Sequence, residues 1–481
     1  MNRVWLLVAV LALASACGGA DGEATSDSER VVTYFEGGTV ILGDGSDPIE
    51  NAALVVDDGI ITAVGPMSEV AHPPGAERYD FTGHTILPFL HNTHGHLGYV
   101  ESTSFTSENY SRESVLEDLD RYVYWGVGTV ASLGLDTGDI AFQIRDEQRT
   151  GPLATARLLT AGRGITARNG FPTADIAGVA GVPYEVASEE EARATVRELV
   201  ARDVDFIKIW VDDNRRATNQ VFRAGNLVYD YSSSPKLSPA LYAAIIDEAH
   251  MNGTRVVAHV RYLADAKGLV EAGIDGLVHS IRDNTVDDAL IQAMLANDVY
   301  YVPTLANHQA QFVFADSPSW LGEPTMRETV APEVIARLSG STYVTQKRQD
   351  LNLAMYRREF DMAKRNLKTL YDAGVRIALG SDSGGEYFRF TGYFEHRELE
   401  LMAEAGIPPA EVIRIGTQVS ADLLGVADSG TLEPGKRGDF IVVAGEPYQN
   451  VAETRDIAEV FMAGTRLERA TMSARFQGLR P

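Results

Sequence analysis

Apolar residues occur in short runs along the chain, separated by polar and Gly-rich breaks. Near the N-terminal end the runs 31–35, 39–42, 52–56 and 60–64 are punctuated by Gly43-Asp44-Gly45 and Asp57-Asp58-Gly59. This pattern predicts strands joined by tight turns. Segments 438–443 and 459–465 repeat it near the C-terminus. The middle differs. Eight apolar runs, at 85–90, 127–133, 157–161, 205–210, 255–259, 276–279, 300–305 and 375–379, alternate with stretches of helical period. Ser188, with Glu191 three residues on, predicts a capped helix running towards Val204; Ser238-Pro239 opens another, and 287–296 and 361–373 are further cases. Strands alternating with helices predict a parallel sheet, and eight such units can close into a (β/α)8 TIM barrel. The expected fold is therefore α/β: a barrel over 85–425 and a small β-sandwich built from both termini, 31–84 and 426–481. Segment 307–358, between the seventh and eighth runs, is too long for an ordinary connection and is expected to be an insertion or lid.

The first thirty residues read as addressing rather than fold. Arg3, an uncharged apolar stretch over 4–13 and the small residues Ala14-Ser15-Ala16 make 1–16 a signal peptide. Cys17 follows at once and is the single cysteine of the chain, which leaves no intramolecular disulfide. Its position resembles the lipid-attachment site of bacterial lipoproteins, although Ala14 stands where Leu is usual; cleavage without lipidation is the alternative. Segment 17–30, rich in Gly, Ser, Asp and Glu, reads as a flexible linker. The expectation is an exported bacterial protein, periplasmic or tethered through Cys17. The 481 residues carry a formal net charge of -25. Such a surface repels nucleic acid and anionic lipid, so neither is an expected partner beyond that lipid. A small molecule or short peptide is, and an oligomer is compatible with the sequence.

In a barrel of this kind active sites sit at the C-terminal ends of the strands, and the ionisable residues fall there. His94-Gly95-His96 follows the first run, with both imidazoles on one face because strand side chains alternate. Lys208 lies among Phe206, Ile207, Ile209 and Trp210; His259, His279 and Asp382 end three other runs. A charged lysine among such neighbours is costly to bury. It either reaches water at the strand end or loses its proton and is carboxylated by carbon dioxide, becoming an anionic oxygen ligand. Taken singly, His259 and His279 read as core histidines and Asp382 as a cap. Taken together, donors at five strand ends point to a metal site, and imidazole with carboxylate suits zinc and similar divalent ions. His84 and His91 have the wrong phase and read as structural.

The stretch Pro88-Phe89-Leu90-His91-Asn92-Thr93-His94-Gly95-His96 resembles the first strand of the amidohydrolase superfamily, with Phe89 and Asn92 where Gly and Asp are usual. Gly380-Ser381-Asp382-Ser383-Gly384 is similar to the end of that family's eighth strand, and 430–440 to its return into the small sandwich. Phe206-Ile207-Lys208-Ile209-Trp210 is most similar to imidazolonepropionase-like and Xaa-Pro dipeptidase-like members. The resemblance implies two divalent metal ions. One is held by His94, His96, carboxylated Lys208 and Asp382, the other by Lys208, His259 and His279. A hydroxide between them attacks a carbonyl, and Asp382 shuttles its proton to the leaving amine as general base and acid.

Candidate substrate contacts lie beyond the strand ends: Arg163 after the third, Tyr229 and Tyr231 after the fourth, Arg261 and Arg282 beyond His259 and His279, and His308 after the seventh. An arginine there can hold a carboxylate through two parallel hydrogen bonds; a tyrosine can donate to a carbonyl. The alternative for each is a solvated loop residue. The expected activity is hydrolysis of an amide or peptide C–N bond, of the dipeptide or N-acyl amino acid type. The same centre also serves cyclic amides, lactones, esters or phosphoesters. A non-catalytic binding protein is the remote alternative.

Overall fold

The structure, a computed structural model, describes residues 31–223 and 226–477. The expected signal peptide, Cys17 and linker lie outside the described residues. No helix among the described residues is long and apolar enough to cross a membrane.

Two small sheets draw strands from both ends of the chain. Ala52–Asp57 and Ile60–Pro66 pair antiparallel around Asp58 and Gly59, both at positive φ, as the Asp-Gly turn predicts. Val32–Glu36 adds to this sheet beside Ala52–Asp57. The other sheet runs Thr39–Val40, His84–Pro88, Phe440–Ala444, Ile457–Met462, Thr465–Arg466. Phe35 meets Phe440 and Phe461 edge-on at 4.9 Å, and Leu54, Ile86 and Val442 complete a shared, fully buried core.

The first barrel strand needs correcting. Segment 85–90 was expected there, yet His84–Pro88 pairs antiparallel with Phe440–Ala444 in the small sheet, and Leu90–Gly95 is the strand lying parallel to Val127–Ser132. The run is apolar throughout, so periodicity does not mark where it leaves one sheet for the other. Pro88 has no N–H and ends the first ladder. The division between the two parts therefore falls near residue 89 rather than 85.

The middle of the chain is α/β, with parallel strands and intervening helices. Leu90–Gly95, Val127–Ser132 and Arg157–Thr160 are parallel neighbours. Ile207–Val211, Val256–Val260, Gly276–Val278 and Tyr300–Val302 form a second parallel series. Between the two series, Asp205 N–H donates to the Thr160 carbonyl at 2.9 Å. Segment 376–383 bonds on one side to Tyr301, and on the other to Thr93, whose N–H donates to the Leu379 carbonyl at 2.8 Å, and to the His94 carbonyl. The helices expected from Ser188, Ser238 and Asp287 are present as Glu189–Ala201, Pro239–Met251 and Asp288–Ala296, and the structure adds Asp287 to the caps, all three side chains accepting a backbone N–H.

Segment 307–358 folds into short helices, among them Pro332–Ser339 and Ser341–Arg348, that bury Phe314, Leu321, Met326 and Leu338. One element lacks a counterpart in the expectation: an antiparallel hairpin, Arg216–Arg223 with Asn226–Ser232, rising after the fourth strand.

Candidate metal centre and substrate cavity

Strand ends bring the expected ligands together. His94 Nε2 and His96 Nε2 lie 3.0 and 2.9 Å from Asp382 Oδ1, and one donor atom from each of the three residues falls within 4.8 Å of the others. The His94 ring is 4.9 Å from His279, whose ring is 4.2 Å from His259. All are buried, as is Lys208. His279 and Asp382 both adopt left-handed backbone, φ 72° and 60°. For a residue with a Cβ this conformation costs of order 1–3 kcal/mol and is found where a site demands it.

Two of the histidines are oriented by partners outside the candidate ligand set. His279 Nδ1 meets Thr304 Oγ1 at 2.7 Å, and His259 Nε2 meets Asp212 Oδ2 at 2.9 Å. Burial disfavours the charged imidazole and lowers the pKa of His94, His259 and His279. Burial also pushes Lys208 down to about 7 from 10.5, and its Nζ has no hydrogen-bond partner among the described residues. For Asp382 burial opposes charge, but the Arg389 guanidinium together with His94 and His96 prevails and holds the carboxyl well below the usual range. Arg389 Nη1 donates to Asp382 Oδ2 at 2.6 Å. A buried, unpartnered amine beside neutral imidazoles and an ionised carboxylate is a donor set that fits divalent metal.

The strand-end residues open onto a cavity of about 550 Å³. Its lining is mixed, with apolar Phe105, Leu135, Phe171, Ile176 and Trp210 and the arginines Arg215, Arg216, Arg261, Arg282 and Arg389. The expected substrate contacts separate here. His308, Arg261 and Arg282 line the cavity. His308 Nε2 accepts the Ser280 N–H at 3.2 Å. Arg261 and Arg282 are already engaged: Glu359 takes Arg261 Nη2 on Oε1 at 2.5 Å and Arg282 Nε on Oε2 at 3.2 Å. Arg163 is turned elsewhere, donating to the Gly181 and Val182 carbonyls with its guanidinium 3.9 Å over the Tyr184 ring. Its expected substrate contact is thus corrected to a structural one. Tyr229 and Tyr231 stand on the hairpin, outside the cavity lining, with Tyr231 about half exposed. Neither lines the cavity as expected, because the fourth strand is followed by a hairpin rather than a short loop.

Other participants escaped the sequence reading. Asp212 lies four residues beyond Lys208, and the period-two rule applied past the strand end finds it. Glu359 and Arg389 carry no such mark. Nor does Glu395, fully buried on the helix Tyr393–Glu404. Its Oε1 accepts from Asn92 Nδ2 at 2.6 Å, Ser381 Oγ at 2.5 Å and Ser383 Oγ at 2.7 Å. It therefore ties the first strand end, which bears His94, to the last, which bears Asp382.

Fold and site together describe a hydrolase with its chemistry at parallel strand ends. The amidohydrolase family model matches residues 85–467, and the chain belongs to that family, whose members include hydrolases of carbon–nitrogen bonds. It is 25% identical to an ochratoxinase of Aspergillus niger over 471 residues, covering 91% of this chain and 87% of the relative. A Deinococcus radiodurans imidazolonepropionase is 33% identical over 107 residues, 21% of this chain and 26% of that one. A solved Xaa-Pro dipeptidase with methionine in its active site superposes with a TM-score of 0.68 at 23% identity, over 91% of this chain and 100% of the other. Both branches to which 206–210 is similar are thus found among its relatives.

Proposed function

We propose that the chain is an exported, metal-dependent hydrolase of an amide or peptide C–N bond, acting on dipeptides or N-acyl amino acids, with its eight strands closed into a (β/α)8 barrel. Hydrogen bonding on both edges of segment 376–383 supports that closure. The observation that carries the activity is the convergence of His94, His96 and Asp382 within 4.8 Å, with Lys208 buried and unpartnered nearby. His94, His96, Lys208 and Asp382 would hold one divalent ion, and Lys208, His259 and His279 a second. Zinc suits the donors, with Lys208 carboxylated. Bound there, such ions polarise a carbonyl and lower the pKa of water towards neutrality.

The protein's own groups do the rest. Asp382, kept ionised by Arg389, accepts the proton of the attacking water at its carboxylate and delivers it to the departing nitrogen. Asp212 and Thr304 fix the imidazoles of His259 and His279. The apolar lining residues, Phe105, Leu135, Phe171, Ile176 and Trp210, limit water around the substrate. Export rests on the pattern of residues 1–17, with a lipid on Cys17 as the tether.

The test is metal analysis of the purified protein with a screen of dipeptides, N-acyl amino acids, lactams and lactones. Asp382→Asn should lower kcat by about 10²–10⁴-fold while much of the metal stays bound. Full activity in that variant overturns the role of Asp382. Turnover of lactams alone would favour the cyclic-amide reading, to which the imidazolonepropionase stretch lends support.

A further inference from the structure

Five arginines line the cavity, and four are already paired with carboxylates: Arg216 with Asp175 at 3.5 Å, Arg261 and Arg282 with Glu359, and Arg389 with Asp382. Arg215 is the exception. It is exposed, and no carboxylate among the described residues lies within ion-pair distance of its guanidinium. The guanidinium instead sits 4.2 Å over the Tyr231 ring of the hairpin. A stacked guanidinium keeps its edge N–H groups available, the edge that grips a carboxylate through two parallel bonds.

The backbone that presents Arg215 is held as firmly as the ligands are. Asp212 accepts the Asn214 N–H on Oδ1 at 2.9 Å and His259 on Oδ2, so one carboxylate fastens both a candidate metal ligand and the turn leading to Arg215. Asp213 Oδ1 accepts the Arg215 N–H at 3.3 Å and the Tyr262 hydroxyl at 2.6 Å. Arg261 Nη1 donates to the Arg215 carbonyl at 2.9 Å. Arg261 thus spends its charge on Glu359 and one of its N–H groups on positioning Arg215.

We infer that Arg215, stacked on Tyr231 at the cavity rim, receives a free carboxylate of the substrate, and that the enzyme selects acids over their uncharged amides. The inference rests on the amide-hydrolase reading above and adds its specificity element. It also gives the hairpin a purpose, as the platform that carries the guanidinium.

The experiment uses N-acetyl amino acids and dipeptides, each paired with its C-terminal carboxamide, on the metal-loaded enzyme. The wild type should show a lower KM for every acid than for its amide. Arg215→Met should raise KM for the acids by about 10–100-fold, the range expected for a lost charge-assisted pair, with kcat moving far less. Acid and amide then converge. Tyr231→Ala should move KM in the same direction by less. Equal KM for acid and amide in the wild type, or a preference that survives Arg215→Met, overturns the inference. If the wild type cleaves none of these probes, the amide-hydrolase reading fails separately. Arg215 is then read by calorimetry with N-acetyl-methionine and its amide. Tighter binding of the acid that weakens about tenfold or more in Arg215→Met supports it; no binding, or equal binding by the two proteins, overturns it.

Discussion

The floor and the rim of the cavity are built by different rules. On the floor, His94, His96, His259, His279 and Asp382 come from strand ends, with Lys208 in the body of the strand Ile207–Val211 beneath them, and all are buried. Their places follow from two short-range facts, the alternation of side chains along a strand and the burial of the strand bodies. On the rim, Arg215 comes from the loop that leads into the hairpin, Glu359 from a helix and Arg389 from another loop. What each does is decided by its partner, near in sequence for Arg389 with Asp382 but 98 residues away for Glu359 with Arg261. The floor is where local pattern suffices; the rim is where pairing across the fold decides which charges remain for a substrate.

The largest effect that can break this contrast is at Lys208. On the floor a side chain kept for chemistry should oppose stability. Lys208 Nζ is buried without a partner, a costly arrangement for an amine. Lys208→Met keeps similar bulk and removes that amine. It should cut kcat/KM by about 10³-fold or more, yet raise the unfolding free energy of the metal-free protein by about 1–3 kcal/mol. Denaturant unfolding in the presence of chelator measures the second, and loss of stability there would show that Lys208 is a structural residue.

A smaller effect sharpens the rim. Arg261 and Arg282 were expected to clamp substrate, but their shared Glu359 makes them internal ties. Glu359→Ala removes the carboxylate that two largely buried guanidinium groups share, leaving only Asp212 at 3.8 Å from Arg282, and should cost about 2–4 kcal/mol of stability. Its effect on KM for acidic substrates should be weaker than that of Arg215→Met. A large KM change with an unaltered unfolding midpoint would return these arginines to the substrate.

The same division explains what could be read from the sequence. The alternation of strands and helices, the helix starts at Ser188, Ser238 and Asp287, the Asp58-Gly59 turn and the His94–His96 pair all rest on spacings of a few residues. The strand 84–88 differs from the expectation because a run as uniformly apolar as Thr85-Ile86-Leu87-Pro88-Phe89-Leu90 has no phase to show that it changes sheets. The hairpin at 216–232 went unseen because Arg216-Ala217-Thr218-Asn219-Gln220 shows no apolar alternation, and with it went the true setting of Tyr229 and Tyr231. Glu395 was invisible for another reason: nothing in a helix sequence announces that one of its carboxylates will face the far side of a strand end.

Glu395 also supplies the smallest of these tests, because it asks how far the floor extends downward. Burial raises its pKa to about 7 from 4.5. The folded value lies above the unfolded one, so the fold favours the protonated form. That contribution is complete below about pH 4.5 and is lost as pH rises to about 7. Glu398, pushed up to about 8, and Asp136, to about 6, shift in the same direction, so the wild-type profile alone does not isolate Glu395. Glu395→Gln does. It keeps an oxygen for Asn92, Ser381 and Ser383 but cannot titrate. The stability of wild type relative to this variant should fall by on the order of 2–3 kcal/mol between pH 4.5 and 7, then level off. Parallel profiles would mean that Glu395 does not change protonation in that window. Because its oxygen joins Asn92 to the two serines flanking Asp382, a weaker metal affinity in Glu395→Gln at pH 7 would place it among the groups that set the His94–Asp382 spacing; unchanged affinity would limit it to the core.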